Sequence, residues 1–530
     1  MKFFVTLIIV ILCHLSGMAQ NILPTPSRVE VRDDLFHLPK VWYVSYPKKA
    51  KSIVSYFTER FDSYCDVRQG KRNKSNLILS FCDDSLKYGM EGYDINIEKT
   101  KITISAYTEN GLFYAIQSLI QLFPSHIQAN LQYDVEDVTI PTLYIFDKPR
   151  YAWRSFMLDS GRQYQSVDFI KKYLDHMAML KMNVFHWHLS ESLGWRIEIK
   201  KYPRLAKVGA FVHDWPGQHG YYTQKEIREI VEYARKRMIN VMPEIDLPGH
   251  ADAMLVAYPE LSCFNQPIEI QTKISSNLCC AGKETTYHIL EDILDEACDL
   301  FPFEYLHLGG DEAKKDTWDR CPDCQSEIKK HDLKDSHELQ QYFSKQLALY
   351  LKEKGRRVVF WQEVAEHDGV EFPDNIAINW WIGNRTKTRR TPDVGYRKAL
   401  EKNIPIILNT NRYSYLNFPV VPWKKYKKNR TSDLKVIYEQ NVSDIANPSP
   451  LVMGMGCSLW TDWNVQEYMI DQRVFPRIYA LSEQMWHNGK RKSFDEFYEC
   501  VIQKYSLLKQ LGIDYGPALK SEVPKNYKWD

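Results

Sequence analysis

The run EYLHLGGDE at residues 304–312 joins an apolar, strand-like stretch to two glycines and two adjacent carboxylates. It is one of eight β-rich runs that recur after residue 150, and helical patterns follow most of them. Strands that alternate with helices favour a parallel sheet, and eight of them over about 340 residues predict a (β/α)8 TIM barrel with insertions. The predicted strands cover 154–159, 183–189, 240–245, 304–310, 357–361, 376–381, 405–410 and 452–460.

The segments between these strands carry apolar residues at helical spacing. They predict helices at 166–182, 223–237, 287–300, 336–354 and 466–486. Thr223 and Glu226 have the spacing of a capping box at the start of the second helix. The gap between Trp361 and Ile376 is short, so it leaves little room for a helix.

The residues before the barrel form a smaller unit, with short strands predicted at 76–81, 93–98 and 101–106 and a helix at 110–123. Pro141 and Pro149 punctuate its exit. The fold class is therefore α/β, with a small α/β domain at 20–148 and a catalytic barrel at 149–490. A C-terminal helix and tail at 491–530 should pack on the barrel.

Residues 1–19 have the pattern of a secretory signal peptide. Lys2 supplies positive charge, an apolar run extends to Cys13, and Gly17 and Ala19 place small residues before a cleavage site. The run is too short to span a bilayer, and no later stretch approaches ~18–20 apolar residues. We therefore expect cleavage after Ala19 and an exported protein, periplasmic or secreted, without a membrane partner.

Composition narrows the function classes. The chain has 530 residues, with 69 Lys and Arg against 67 Asp and Glu, so it lacks the dominant positive charge of many nucleic-acid binders. It contains 14 Trp, 33 Tyr and 23 Phe. In this abundance, some of the aromatic rings are expected to line a ligand cleft.

Ten cysteines remain after the predicted cleavage. A polar segment separates Cys263 from Cys279 and Cys280, and an oxidising compartment favours a Cys263–Cys280 disulfide that closes this loop. Cys321-Pro-Asp-Cys324 has the spacing of half a zinc site, but no second CxxC or HxxxH accompanies it. His186 and His188 alternate along a strand and are not assumed to converge. We therefore expect no metal and no cofactor.

The predicted strands end in reactive side chains, and a barrel enzyme builds its site at these ends. In chain order they are Asp159, Arg162, His186, Trp187, His188, Glu244, Asp246, His250, His307, Asp311, Glu312, Trp361, Trp381, Asn409, Tyr415, Trp460 and Asp462. Adjacent carboxylates repel, so the pKa of Asp311 or Glu312 should rise, as suits a general acid.

Several ordered motifs now identify a family. HLGGDE at 307–312, MPEIDLPGHA at 242–251, LDSGR at 158–162, KMNVFHWHL at 181–189 and GWR at 194–196 resemble the β-N-acetylhexosaminidases of glycoside hydrolase family 20. The N-terminal unit, with Glu91-Gly92-Tyr93 and Asn110-Gly111-Leu112, resembles the family's small domain. The resemblance covers nearly the whole chain after residue 19.

The resemblance implies hydrolysis, with retention, of a terminal β-linked N-acetylhexosamine, GlcNAc or GalNAc, on a glycan substrate. The nucleophile is the substrate's own acetamido carbonyl, which forms an oxazolinium intermediate. By resemblance, Glu312 is the general acid and base, and Asp311 orients the acetamido N–H. Tyr415 would donate to the acetamido oxygen, and Trp361, Trp381 and Trp460 would surround the sugar. Arg162 would bind the 3- and 4-hydroxyls of the sugar, with Asp159 beside it. His250 would lie beside Glu312. Trp381 is preferred over Trp380 because Gly383 follows it at family-like spacing.

Three positions depart from the family pattern. Glu191 stands where an aspartate normally pairs with His250, Asn417 replaces an aspartate, and Asp462 replaces a glutamate. These changes keep open a 6-sulfated hexosamine or a released disaccharide as alternatives. A sulfate could then meet Lys424, Lys425, Lys427 and Lys428, although a solvated lysine loop is the favoured explanation of these residues. A binding protein without catalysis is a further alternative, against which the presence of both Asp311 and Glu312 argues. The sequence leaves oligomeric state open.

Overall fold

The computed structural model describes residues 21–131, 137–215, 217–270, 277–382, 394–423, 426, 430–440, 449–527 and 529. Its larger part is a closed barrel of eight parallel strands, as predicted. Numbered with the other strands in chain order, they are β8 Trp153–Asp159, β9 Val184–His188, β12 Asn240–Glu244, β13 Tyr305–His307, β14 Arg357–Trp361, β15 Ile376–Trp380, β16 Ile406–Leu408 and β17 Val452–Leu459. β17 pairs with β8 and closes the ring.

An apolar layer fills the barrel near the starts of its strands. Each of the eight strands contributes one side chain: Trp153, Val184, Met242, Tyr305, Val359, Ala377, Ile407 and the partly buried Met453. Because this layer occupies the amino-terminal end of the barrel, polar side chains from the strands gather at the carboxyl-terminal end.

Helices and short turns connect the strands and surround the barrel. The α-helices from β8 onward are Val167–Met179, Arg204–Lys207, Gln224–Arg235, Asp252–Ala257, Glu284–Leu300, Asp316–Arg320, Pro322–Lys330, Ser336–Glu353, Val394–Glu401, Asn411–Ser414, Leu434–Glu439, Glu467–Val474, Arg477–Trp486 and Phe494–Gln510. Thr223 and Glu226 form the predicted capping box. A 3-10 turn, Gln362–Ala365, occupies the short gap after β14.

The prediction of a single helix at 466–486 is wrong. The structure has two helices there, Glu467–Val474 and Arg477–Trp486, separated by Phe475 and Pro476. Pro476 has no N–H to donate, and its ring disfavours a helical conformation of the preceding residue, so the first helix ends before it.

The N-terminal part is a seven-stranded sheet in the order β1-β7-β5-β6-β4-β2-β3. Its strands are β1 Arg28–His37, β2 Val41–Ser45, β3 Asp66–Gln69, β4 Leu77–Phe81, β5 Tyr93–Ile97, β6 Ile102–Ala106 and β7 Thr139–Asp147. The helices are Lys51–Glu59, Ser85–Tyr88, Glu109–Ile120 and Ser125–Gln128. Pro141 does not mark the exit from this sheet, because it lies inside β7 opposite Leu35.

Two buried ion pairs join this sheet domain to the barrel. Arg154 on β8 contacts Glu91 at 2.6 Å between Nη1 and Oε2, and Lys181, just before β9, contacts Asp147 at 2.9 Å between Nζ and Oδ2. Trp486 Nε1 also donates to Asp147 Oδ2 at 2.8 Å. The base of the barrel is therefore bonded to the sheet domain by charged groups that water does not reach.

Across the residues that the structure describes, none of the helices combines the length and apolarity that crossing a membrane requires.

Candidate active site

Glu244 anchors the floor of the site. It ends β12, and its Oε2 contacts His186 Nε2 and His188 Nδ1, both at 2.7 Å. Its Oε1 contacts His307 Nδ1 at 3.2 Å and accepts from Trp361 Nε1 at 2.8 Å. Burial alone would raise the pKa of Glu244, but these imidazoles hold it well below its usual range. The buried carboxylate therefore stays charged and fixes four rings from three neighbouring strands.

His186 and His188, whose convergence the sequence alone did not predict, do converge in the structure. Side chains two residues apart on a strand point to the same face, and here both imidazoles meet Glu244.

A chain of contacts leads from Glu191 to the two adjacent acids. Glu191 lies in a small ribbon formed by β10 Ser190–Glu191 and β11 Gly194–Trp195, and its Oε1 lies 2.8 Å from His250 Nδ1. His250 Nε2 lies 3.8 Å from Asp311 Oδ2 and 3.8 Å from Glu312 Oε2. Burial would lower the pKa of His250, but the carboxylates of Glu191 and Asp311 hold it well above its ordinary value. A positive imidazolium therefore faces both acids.

The turn after β13 places the two acids through a pair of glycines. Gly309 and Gly310 adopt φ of 61° and 104°, a region that favours glycine. A Cβ on Gly309 would lie 1.7 Å from Asp246 Oδ1, the atom that accepts from Gly310 N at 3.1 Å. The turn can therefore pack on Asp246 only without a side chain at position 309, and a Cβ at position 310 would lie 2.3 Å from Val364 Cγ2. Asp311 and Glu312 follow directly.

The predicted rise in pKa falls on Asp311. Burial raises the pKa of Asp311 well above its usual value, and the nearby Asp246 carboxylate adds to the rise. Its Oδ1 is buried and has no hydrogen-bond partner among the described residues. Glu312 is less enclosed, with 31% of its side chain exposed. The two neighbouring acids thus differ in environment, which suits them to different roles.

Arg162 is held by two carboxylates at the rim. Its Nη1 contacts Asp159 Oδ2 at 2.8 Å and its Nη2 contacts Glu191 Oε2 at 2.9 Å. The guanidinium also lies over the Trp460 ring, 5.1 Å from its centroid. Burial alone would raise the pKa of Glu191, but the Arg162 and His250 cations outweigh burial and hold this pKa well below its usual range. Glu191 therefore connects Arg162 to His250.

An aromatic cluster forms one wall of the site. Trp361 and Trp460 lie 5.9 Å apart by ring centroids, Tyr415 lies 6.0 Å from Trp460, and Trp381 stacks on Tyr415 at 6.3 Å and 7°. Trp380, by contrast, is fully buried and packs on Tyr396 in the main core. Of the two adjacent indoles, Trp381 is thus the one that belongs to this cluster.

Asn417 and Asp462 meet at the edge of the aromatic cluster. Asn417 Nδ2 donates to Asp462 Oδ2 at 3.3 Å, and Tyr426 OH donates to the same oxygen at 2.6 Å. Sequence reasoning missed Tyr426, which lies in a segment without strand or helix periodicity. Lys424, Lys425, Lys427 and Lys428 lie outside the described residues.

Sequence reasoning also missed Glu363. It lies in the 3-10 turn after β14, accepts from Trp381 Nε1 at 2.9 Å, and lines a cavity of about 410 Å³ together with Glu312. Burial raises its pKa to about 8, with a further contribution from the Asp311 charge. Its position two residues after Trp361 was the signal that could have identified it.

The proposed Cys263–Cys280 disulfide is not formed, and the structure has no disulfide among the ten cysteines it describes. Cys263 and Cys280 instead lie beside Cys321 and Cys324. At the rim, three further groups bring possible ligand atoms together: His186, Glu244 and His307; His188, Glu244 and Asp246; and Asp246, His250 and Asp311. In these groups the imidazoles already contact carboxylates, at 2.7–3.2 Å for the three histidines on Glu244 and at 3.8 Å for His250 and Asp311.

Comparisons with known proteins agree across both parts of the chain. Residues 151–489 match the model of the glycosyl hydrolase family 20 catalytic domain, and residues 19–148 match that of the family's domain 2. A beta-hexosaminidase from Porphyromonas gingivalis is 34% identical over 513 residues, which cover 93% of this chain and 64% of that protein, so the chain spans about two thirds of that relative's length.

Solved structures give the same result. A β-N-acetylhexosaminidase from Bacteroides fragilis is 45% identical, with a TM-score of 0.88 over 96% of this chain and 99% of its own. A Streptomyces plicatus β-hexosaminidase variant in complex with its product GlcNAc is 27% identical, with a TM-score of 0.82 over 95% of this chain and 98% of its own.

Proposed function

Because the chain belongs to glycosyl hydrolase family 20, we propose that it removes terminal, non-reducing β-linked N-acetylhexosamine from glycans with retention. In the proposed reaction, the substrate's acetamido oxygen attacks the anomeric carbon while the bond to the leaving oxygen breaks. Glu312 gives its proton to that oxygen. The Glu312 carboxylate then takes a proton from water, which attacks the same carbon and opens the oxazolinium ring.

The buried, unpartnered Oδ1 of Asp311 carries this proposal. An unsatisfied buried carboxylate oxygen is costly, so a bound acetamido N–H that donates to it is stabilising. Burial raises the pKa of Asp311 in the structure without sugar. The N–H donor and the positive charge that develops on the oxazolinium ring both favour the ionised form. Asp311 therefore becomes charged where the transition state needs it.

The neighbouring groups fit the rest of the sugar. Trp361, Trp381, Trp460 and Tyr415 form one aromatic cluster. Tyr415 lies close enough to Asp311 for that carboxylate to raise its pKa, and its hydroxyl would donate to the acetamido oxygen. Such a box holds the acetamido group near its attacking geometry. Arg162 lies at the rim to bind ring hydroxyls. The Asp462 carboxylate would repel a 6-sulfate, so we propose an unsulfated hexosamine as the substrate.

The test is p-nitrophenol release from p-nitrophenyl β-GlcNAc by the full chain after residue 19, with the GalNAc glycoside in parallel. We expect Glu312→Gln to reduce kcat/KM by about 10²- to 10⁴-fold, because the general acid is lost. Glu366→Gln is the matched control, since Glu366 lines the same cavity but contacts Gln362. A folded wild-type protein that releases no p-nitrophenol would overturn the proposal.

We also propose that residues 1–19 direct export and are removed. The predicted cleavage site after Ala19 gives the test: the protein recovered from periplasm or medium should begin at Gln20. An intact Met1 on protein retained in the cytoplasm would contradict this proposal.

A further inference from the structure

Four cysteines from three separate segments meet in a buried cluster beside the barrel rim. Cys263 Sγ lies 3.9 Å from Cys324 Sγ, and Cys280 Sγ lies 3.8 Å from Cys321 Sγ and 3.7 Å from Cys324 Sγ. All four sulfur atoms lie within 4.8 Å of one another, and all four residues are buried. This group, Cys263, Cys280, Cys321 and Cys324, is called the cysteine cluster below.

The spacing of the sulfur atoms fits a tetrahedral metal site. Zinc binds thiolate at about 2.3 Å, which in a tetrahedron separates the sulfur atoms by about 3.8 Å. A disulfide needs sulfur atoms about 2.05 Å apart, and in the cluster Cys280 is nearly equidistant from Cys321 and Cys324. The arrangement thus pairs no two cysteines preferentially, whereas one central ion would engage all four.

The local backbone favours thiolates in the cluster. Cys321 is the N-cap of the helix Pro322–Lys330, and Cys324 lies in its first turn. The unpaired N–H groups at this end of the helix stabilise negative charge. Lys283 places a further positive charge nearby, because its Nζ donates to Ser262 O, next to Cys263, at 2.5 Å.

A glycine lets the segments approach this closely. A Cβ on Gly282 would lie 2.2 Å from the backbone carbon of Asp323 and 2.3 Å from the nitrogen of Cys324. The turn after Cys280 therefore packs directly on the CxxC turn, which a side chain at 282 would prevent.

We propose that Cys263, Cys280, Cys321 and Cys324 bind one structural zinc ion. The ion would connect the loop that follows β12 and carries His250 to the segment that follows Asp311 and Glu312. Cys279, adjacent to the cluster, already joins the same elements, since its N–H donates to Pro248 O at 3.0 Å and its carbonyl accepts from Trp318 Nε1 at 3.0 Å. The proposed ion has no part in the sugar chemistry, so this proposal stands independently of the proposed function.

Metal content of the full chain after residue 19, purified without chelator, tests the proposal. We expect about one zinc per chain, released when the thiols are titrated with a mercurial reagent. Cobalt(II) substituted for zinc should give sulfur-to-cobalt charge-transfer absorption and the intense visible bands of a tetrahedral thiolate site. This spectrum identifies the ligands without relying on a variant that folds.

Two variants and a control locate the site. Cys280→Ser and Cys321→Ser should each lose the stoichiometric zinc and lower the Tm by at least about 5 °C, because a metal that binds only the folded state stabilises it. Cys279→Ser should retain the zinc, since Cys279 is buried next to Cys280 but lies outside the cluster.

Three results would overturn the proposal: a wild-type protein without stoichiometric metal after reconstitution, a cobalt form without thiolate bands, or loss of zinc in Cys279→Ser but not in Cys280→Ser. A thiol count on denatured protein with chelator separates metal from disulfides. Metal binding leaves all ten cysteines reactive, and each disulfide removes two.

Discussion

Glu363 is an acid that the fold keeps uncharged at neutral pH. Burial raises its pKa to about 8, and the nearby Asp311 and Glu366 carboxylates oppose its ionisation further. Its Oε2 accepts the indole N–H of Trp381. The side chain therefore positions Trp381 without adding a full negative charge beside Asp311.

This protonation state predicts a pH-dependent stability difference for Glu363→Gln. The folded-state pKa of Glu363 is raised from 4.5 to about 8, so its favourable contribution is complete below about pH 4.5 and is lost as the pH rises through 8. Glutamine cannot ionise and retains an acceptor for Trp381. Above pH 8 the free energy of unfolding of the variant should therefore exceed that of wild type by up to about 5 kcal/mol. Urea unfolding at pH 5, 7 and 9 measures this difference.

Glu363→Ala is the companion variant, because it removes both the ionisable group and the acceptor for Trp381. It should be less stable than Glu363→Gln at each pH. A stability difference between Glu363→Gln and wild type that does not change with pH would mean that Glu363 is already ionised at pH 5.

At the scale of elements, the turn after β13 determines where the acids lie. Gly309 fits against Asp246, and Gln340 Nε2 donates to Gly310 O at 2.7 Å from the helix Ser336–Glu353. Two neighbouring segments thus fix the position of this turn.

We expect Gly309→Ala to disrupt this turn. The added Cβ would meet Asp246 Oδ1 at 1.7 Å and displace the acceptor of Gly310 N–H. Gly355→Ala is the control, because Gly355 has a similar φ of 70° but no atom within 4 Å of the added Cβ. The control should lose only the conformational term of about 1–2 kcal/mol, whereas Gly309→Ala should lose more stability and at least about 10²-fold in kcat/KM. Equal losses in both variants would show that Asp246 does not support the turn.

The sequence predicts elements well where burial leaves a continuous signal. All eight barrel strands lie in apolar runs, since a parallel barrel covers both faces of its strands. β1 was not predicted, because most of its residues are exposed and Arg, Asp and Glu interrupt its pattern. The acids, the indoles and Arg162 were predicted as site residues through motifs, and their roles stay predictions. The cysteine cluster was not, because only the folded chain brings Cys263 and Cys280 to the CxxC turn.

At the scale of the whole molecule, buried charge connects the sheet domain to the barrel. Arg154 is fully buried, and Glu91 binds it through two oxygens, at 2.6 Å to Nη1 and 2.9 Å to Nη2. The guanidinium also lies 4.9 Å from the Trp486 ring centroid. This contact gives the domain interface an ionic centre as well as an apolar one.

Glu91→Gln should destabilise the whole protein, because it leaves the Arg154 cation buried without its counter-charge. We expect a loss of about 3–5 kcal/mol in the free energy of unfolding. The control is Glu232→Gln, which breaks an exposed pair with Arg235 and should produce no measurable change. If both variants unfold at the same urea concentration as wild type, the interface does not depend on this ion pair.

The Arg154–Glu91 and Lys181–Asp147 pairs also affect whether the barrel can be separated from the sheet domain or exchanged between relatives. A fragment that consists of the barrel alone would expose the Arg154 guanidinium and the Lys181 ammonium group, both of which are fully buried in the whole protein. We expect a barrel exchanged between relatives to fold only when the sheet domain provides acids equivalent to Glu91 and Asp147. We therefore expect the two parts to tolerate exchange only together, although each has the architecture of a separate domain.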